Sequence, residues 1–192
     1  MVGTIWLTRG LHEDGLADFC DGFGGSTERT RTFEIMRDSN VGVYAVLGLV
    51  SVLSLKYSSL IELMSSQGLN DSLWVIFLIF TSAHALSRLA AVSMMMTADY
   101  VSDMGPTRAG IMSHRMSKLD VVVAAMGGVL PLVFLALVLG SEVLVVVAIV
   151  AILRIVLARQ IIRRLGGYTG DCMGAIQQIT EVSFYLGLLV ML

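Results

Sequence analysis

Three aspartates near the start of the chain have the residue type and the spacing of a metal-binding site. Asp14, Asp18 and Asp21 are separated by four and three residues, which places them on one face of a helix. Like charges on that face repel one another, and a bound cation would offset the repulsion. Carboxylate oxygens suit Mg²⁺, which also bridges substrate phosphates. The pattern predicts a magnesium site for phosphate chemistry, although a solvated acidic helix face has the same pattern.

The neighbours of these acids favour the functional interpretation. Gly15 and Gly22 permit close approach of the backbone to a bulky anion. Apolar residues such as Leu16 and Phe19 alternate with the acids beside a hydrophobic run. Acids buried next to lipid are costly and usually functional.

A second polar segment, residues 34–42 (EIMRDSNVG), precedes a long apolar run. Arg37 is suited to pairing with a phosphate, and Asp38 and Ser39 are suited to capping the helix that follows. Taken alone, the segment is better explained as an N-cap with a nearby cytoplasmic arginine.

A third segment, residues 165–175 (LGGYTGDCMGA), is rich in glycine and leads into the last helix. Backbone N–H groups at such a helix start can hold phosphate oxygens, and Asp171 lies there. The alternative is an interhelical turn with Asp171 as its N-cap. Gln177 and Glu181 follow within the apolar helix, where a charged residue is a functional candidate.

One more charge, Arg88, lies inside an apolar run with His84 one turn earlier. It is expected either to extend towards the membrane surface or to pair with an acid or a substrate phosphate. The methionines around Met94 are expected to pack or to face lipid.

Composition indicates a membrane protein. The 192 residues are 56% hydrophobic and 15% charged, with a mean hydropathy of +0.81, and a soluble domain of this size does not need so apolar a chain. The net charge of −2 gives no indication of a nucleic-acid binder. Cys20 and Cys172 form neither a disulfide framework nor a metal quartet.

The apolar runs predict one all-α integral membrane domain, residues 1–192, a polytopic transmembrane helical bundle with about five membrane segments. The acidic motif occupies 11–25 and a loop 26–40. The helices are expected at about 41–63, 73–96, 119–139, 143–162 and 174–192. The first run is interrupted by Lys56, which is expected to snorkel to the surface unless the helix tilts and continues.

Basic and non-basic connections alternate along the chain. Arginine and lysine occur in 10–40, 97–118 and 159–175, whereas 65–72 and 140–142 contain neither. The positive-inside rule places the three basic connections in the cytoplasm. Because the polar segments lie in these connections, an active site is expected at the cytoplasmic membrane surface.

The first seven residues are apolar but too short to cross a bilayer, and they lack the order of a signal peptide. We therefore expect a further membrane segment upstream of them.

These segments together resemble one enzyme family. The run 10–25 (GLHEDGLADFCDGFGG) resembles the acidic signature of cobalamin synthases, the adenosylcobinamide-GDP ribazoletransferases. Residues 34–42 and 166–175 resemble that family's second and C-terminal motifs, and SRLAA at 87–91 resembles a further feature. The motifs occur in the family's order, which is more specific than any one of them.

The resemblance implies a reaction and its partners. A hydroxyl of α-ribazole, or of its 5′-phosphate, attacks the cobinamide-side phosphate of adenosylcobinamide-GDP, GMP leaves, and the cobamide forms. The family is Mg²⁺-dependent and resides in the bacterial inner membrane, so the lipid bilayer is a partner; homo-oligomers are compatible with the sequence.

We assign roles under this hypothesis. The metal ligands are Asp14, Asp18, Asp21 and Asp171. The catalytic residues are Glu13, Arg37, Asp38 and Arg88, with the arginines binding phosphate and the acids orienting the attacking hydroxyl. The substrate-binding residues are Gly15, Gly22, Ser39, Gly167, Gly170 and Gln177.

Three alternatives remain at this point. A CDP-alcohol phosphotransferase also carries spaced aspartates, but its arginine after the first Asp-Gly pair is absent after Gly15. A cation transporter would need polar residues through the membrane depth, and 119–139 and 143–153 contain almost none. A non-catalytic scaffold leaves the acids and glycines unexplained.

Overall fold

The computed structural model describes residues 1–65, 73–101 and 116–191, and all longer regular structure in these ranges is helical. The helices are α1 (Val2–Thr8), α2 (Leu11–Gly25), α3 (Arg29–Met36), α4 (Val43–Ser65), α5 (Leu73–Val92), α6 (Met94–Thr97), α7 (Lys118–Leu139), α8 (Glu142–Leu165) and α9 (Gly170–Met191). The predicted all-α class is confirmed.

Four of these elements are long and apolar enough to cross a membrane: α4, α5 together with α6, α7, and α8. The predicted number of about five is close to this result. Their outer faces expose large apolar side chains, as a lipid solvent requires; examples are Val50, Phe77, Leu130 and Ile152. The loop charges Asp71, Arg108 and Arg115 lie outside the described residues.

Two boundaries differ from the sequence-based expectation. The predicted loop 26–40 contains α3, which buries Phe33 and Met36 against α2. The last helix starts at Gly170 rather than at 174, because Thr169 caps it: its hydroxyl accepts a hydrogen bond from the Cys172 amide at 3.3 Å. Asp171 therefore lies in the first turn and is not the N-cap.

Helix α9 is the centre of the bundle and packs against α2, α4, α5 and α8. It crosses α2 closely at two glycines. A Cβ on Gly15 would lie 3.0 Å from the Asp171 Cα, and one on Gly174 would lie 3.1 Å from the His12 carbonyl oxygen. This crossing holds the acidic motif against the start of α9, and it gives Gly15 a packing role.

Lys56 does not snorkel; the structure shows the other expected outcome, in which the helix continues past this residue. Helix α4 continues to Ser65, and Lys56 is only 3% exposed. Its Nζ lies 2.6 Å from Glu181 Oε1. A carboxylate at the same depth on α9 removes the need to reach water, because the two charges compensate each other.

The cap of α4 comes from an unexpected acid. Asp21 accepts hydrogen bonds from the Gly42 amide at 2.6 Å and the Ala45 amide at 2.8 Å, one on each carboxylate oxygen. Asp38 instead accepts from the amide and side chain of Asn40 within an exposed turn. The expectation that Asp38 and Ser39 cap this helix is therefore wrong, because the fold brings α2 to that position.

The cap predicts different effects for two nearby acids. Asp21→Ala leaves two helix-start amides without their acceptor, and we expect the free energy of unfolding in detergent to fall by about 1–2 kcal/mol. Asp38→Ala is the matched control and should change it much less. Equal losses in the two variants would contradict the cap.

Candidate active site

Residues from three distant segments meet in a cleft between α2, α5 and α9. The cleft has a volume of about 160 Å³. Five of the predicted site residues line it: Asp14, Arg88, Gly170, Asp171 and Gln177. The structure thus brings both acidic and basic predicted groups to one place.

Arg88 contributes a positive charge to this cleft. Its Nη1 donates a hydrogen bond to the His84 carbonyl at 3.2 Å, within its own helix. Among the described residues no carboxylate lies within ion-pair distance of its guanidinium. The rest of the guanidinium is therefore available to an anionic ligand.

A second cleft of about 180 Å³ lies on the other side of Asp171. It is lined by Arg37 together with Phe33, Tyr100 and Thr169, and it shares Gly170 and Asp171 with the first cleft. The Arg37 guanidinium stands 5.9 Å from the centre of the Phe33 ring. Guanidinium groups therefore occur in both clefts that meet at Asp171, an arrangement suited to a ligand with more than one phosphate.

The carboxylates on α2 influence one another. Burial, followed by the charges of Asp171, Asp14 and Asp21, raises the pKa of Asp18 to about 7. Acids in such surroundings favour a cation, which would stabilise their ionised forms. The interaction agrees with the single acidic face that the sequence predicts.

No three His, Cys, Asp or Glu side chains among the described residues are arranged to hold one metal ion. Asp21 is occupied by the cap of α4. Mg²⁺ usually keeps several waters and takes one or two carboxylates plus substrate phosphates. One or two of the carboxylates Asp14, Asp18 and Asp171 could therefore bind an ion shared with a phosphate, but the four aspartates do not form an all-protein cage.

Several predicted residues lie outside the two clefts. Asp38 and Ser39 are exposed and line neither of them; hydrogen bonds from Asn40 lower the pKa of Asp38. Gly22 faces the Met36 side chain, and Gly167 packs against the Asp99 carbonyl. Helix and loop packing accounts for these two glycines.

Glu13 has a different environment from the other acids. Its Oε1 accepts a hydrogen bond from Gln178 at 2.9 Å, while its Oε2 is buried without a partner in the described ranges. It does not line the cleft, whereas its neighbour His12 does. Burial and then the charge of Arg88 lower the pKa of His12, so this ring is neutral at neutral pH.

A buried polar network extends from the cleft into the membrane region, and the sequence did not predict it. Gln177 donates to Glu181 Oε2 at 2.6 Å, and Lys56 pairs with Glu181 Oε1. His84 Nδ1 and the Tyr185 hydroxyl each lie 3.4 Å from the same carboxylate oxygen, Oε1. The sequence indicated Lys56 and Glu181 as charges within apolar runs, but it did not indicate that the two residues pair.

A wider, basic cleft of about 750 Å³ lies between α2 and α8. Its lining includes Arg29 and Arg163, neither of which the sequence singled out. Arg164 joins the two helices by donating to the carbonyls of Phe23 and Ser26, both at 2.9 Å. Part of this positive charge therefore has a structural role.

Comparison with known proteins gives consistent matches over the whole chain. A family model described as cobalamin-5-phosphate synthase matches residues 1–189. The adenosylcobinamide-GDP ribazoletransferase of Leptothrix cholodnii is 41% identical over 97% of this chain and 70% of its own length. Proteins of the same name from Vibrio cholerae and Polaromonas naphthalenivorans are 38% and 36% identical over all of this chain and 70% and 72% of theirs. No solved structure matches the chain significantly.

The crowded carboxylates predict a pH-dependent stability effect. Asp18 has a folded-state pKa raised to about 7 from 3.8, so its ionisation destabilises the fold progressively as pH rises through this interval. Without divalent cations, Asp18→Asn should raise the melting temperature in detergent at pH 8 and change it much less at pH 4. Equal shifts at both pH values would contradict the interaction.

Proposed function

The chain belongs to the cobalamin-5-phosphate synthase family, and from this premise we propose that the clefts on either side of Asp171 carry out its reaction. That reaction transfers the cobinamide-phosphate group of adenosylcobinamide-GDP to α-ribazole or its 5′-phosphate. The product is the cobamide, GMP leaves, and the nucleotide loop of cobalamin is complete.

One observation carries the assignment of the site. Two adjoining clefts are lined by charged residues from distant parts of the sequence. Asp14 and Arg88 line the first cleft, Arg37 lines the second, and both share Asp171. Displacement at a pyrophosphate needs cationic groups along the length of the pyrophosphate. It requires little covalent chemistry from the protein. Two arginines in adjoining clefts meet this need.

The residues perform mainly electrostatic work. Arg88 and Arg37 bind phosphate oxygens and stabilise the negative charge that moves to GMP as it leaves. One or two of Asp14, Asp18 and Asp171 would hold Mg²⁺, which when bound would neutralise phosphate charge. The first cleft holds about 160 Å³, so the corrin ring and the guanosine lie outside it and only the reacting groups enter.

We propose that the protein lies in the inner membrane and that the site is on its cytoplasmic side. Three connections predicted to be cytoplasmic meet at one end of the bundle. The Tyr168 amide donates to the Asp99 carbonyl at 3.0 Å, and Arg164 binds the carbonyls that end α2. The clefts lie at this same end, and it carries the basic residues that the positive-inside rule uses.

Removal of a single site carboxylate tests the magnesium assignment. We expect Asp14→Asn or Asp18→Asn to lower Mg²⁺-dependent formation of cobamide and GMP at least about 100-fold, because charge stabilisation at the phosphates is lost. Isolated membranes carrying each variant are the assay material. Glu142→Gln, at the opposite end of α8, is the matched control and should retain activity. Near-normal turnover in both aspartate variants would contradict the assignment.

Cysteine labelling tests the orientation. In a Cys20→Ser background, with the buried Cys172 retained, we expect Thr27→Cys to react with a membrane-impermeant maleimide only in inverted vesicles. Ser141→Cys, at the other end of the bundle, should react only in right-side-out vesicles. The reverse pattern would contradict a cytoplasmic site.

A further inference from the structure

The side chain of Gln177 connects the cleft with the buried ion pair. It lines the cleft beside Arg88 and is only 1% exposed. Its Nε2 donates to Glu181 at 2.6 Å and to the Ser87 hydroxyl at 3.2 Å. Its carbonyl oxygen Oε1 is buried and has no hydrogen-bond partner in the part of the chain that the structure describes.

Glu181 determines which end of this amide faces it. An ionised carboxylate only accepts hydrogen bonds, so the amide NH₂ of Gln177 must point towards it. A flipped amide would bring two acceptors together at 2.6 Å. The carbonyl oxygen is therefore held on the side away from Glu181, as an acceptor without a donor.

Lys56 stabilises the ionised form of Glu181. Its Nζ lies 2.6 Å from Glu181 Oε1, and the two side chains are 3% and 1% exposed. A buried ion pair frequently adds no stability over well-packed apolar residues. Stability alone is thus a weak explanation for the pair, whereas control of the neighbouring amide is a specific one.

We propose that the Lys56–Glu181 pair is a positioning device that fixes Gln177 as a hydrogen-bond acceptor for a hydroxyl group of the attacking nucleoside. The inference rests on the proposed function, since it takes the cleft as the site of transfer. A carbonyl oxygen repels phosphate oxygens and accepts a hydrogen bond from a hydroxyl, while the adjacent Arg88 guanidinium attracts phosphate oxygens. The two side chains together therefore distinguish the attacking hydroxyl from the phosphate that it attacks. Gln177 touches the substrate, and Lys56 and Glu181 act through it.

Exchange of the two charges tests the proposal. The double variant Lys56→Glu with Glu181→Lys retains a buried ion pair, but the ammonium group that it introduces on α9 only donates hydrogen bonds. This group would bind the Gln177 carbonyl and turn the NH₂ towards the cleft. We expect the KM for α-ribazole to rise about 10- to 100-fold, with a melting temperature near that of the unmodified protein. The KM for adenosylcobinamide-GDP should change little.

A third substitution provides the matched rescue. Gln177→Glu in the exchanged background places a carboxylate beside the introduced lysine and returns an acceptor to the cleft. This triple variant should recover most of the affinity for α-ribazole. The same Gln177→Glu substitution in the original background places two carboxylates, those of residues 177 and 181, next to each other. That single variant should therefore not gain affinity for α-ribazole as the triple variant does.

The outcomes separate the two hypotheses. Absence of transferase activity in the unmodified protein contradicts the proposed function itself. If that activity is present and the exchanged pair is stable with an unchanged KM for α-ribazole, the positioning role is overturned. A shift in the Mg²⁺ requirement instead of the α-ribazole KM also overturns it, because the carbonyl would then serve a cation.

A second double variant, without charges at positions 56 and 181, tests the proposal if the protein with exchanged charges does not insert into the membrane. Lys56→Met with Glu181→Gln removes both charges. The amide introduced in place of the carboxylate both donates and accepts hydrogen bonds, so nothing fixes the orientation of the Gln177 amide. We expect a KM for α-ribazole raised at least about fivefold at a retained melting temperature. An unchanged KM overturns the proposal.

Discussion

The close crossing of α2 and α9 is the constraint on which the site depends. Gly15 and Gly174 let the two backbones approach until a single added Cβ would meet the opposite helix. At that separation the acids of α2 face the first turn of α9, and Asp171 joins them. A wider crossing would leave the same aspartates on the same helix face but without the groups that complete the clefts. Small residues therefore contribute as much to this site as charged ones, because they set the distance.

The second constraint is the lipid solvent. Polar groups inside a bilayer must find partners within the protein, and α9 carries several of them. The bundle solves this by surrounding α9 with α2, α4, α5 and α8, so that Glu181 meets Lys56 instead of lipid. The apolar surface is left to the outer faces of the spans. The proposed transferase site and the buried network are consequently neighbours on one helix, joined through Gln177.

The acids of one short motif have taken separate tasks in the fold. Asp21 caps α4, Glu13 binds Gln178, and Asp14 lines the cleft. Burial, followed by the charges of the other carboxylates, raises the pKa of Asp18. A motif that looks uniform in the sequence is thus divided between the candidate active site and helix packing, since each side chain meets a different neighbouring helix.

Apolar length and the 3.6-residue period were enough to predict an all-α membrane bundle and a common acidic face, because both follow from local geometry and from the solvent. The ordered motifs were enough to identify the family. The partners of individual side chains were not predictable: no partner was expected for Lys56, Asp38 was expected at a helix start and Asp21 at a metal. Each outcome depends on which helix packs beside that residue, and this is a property of the tertiary structure. Only the folded bundle, by fixing those distances, decided that Arg88, Asp14 and Asp171 share a cleft while Asp38 does not.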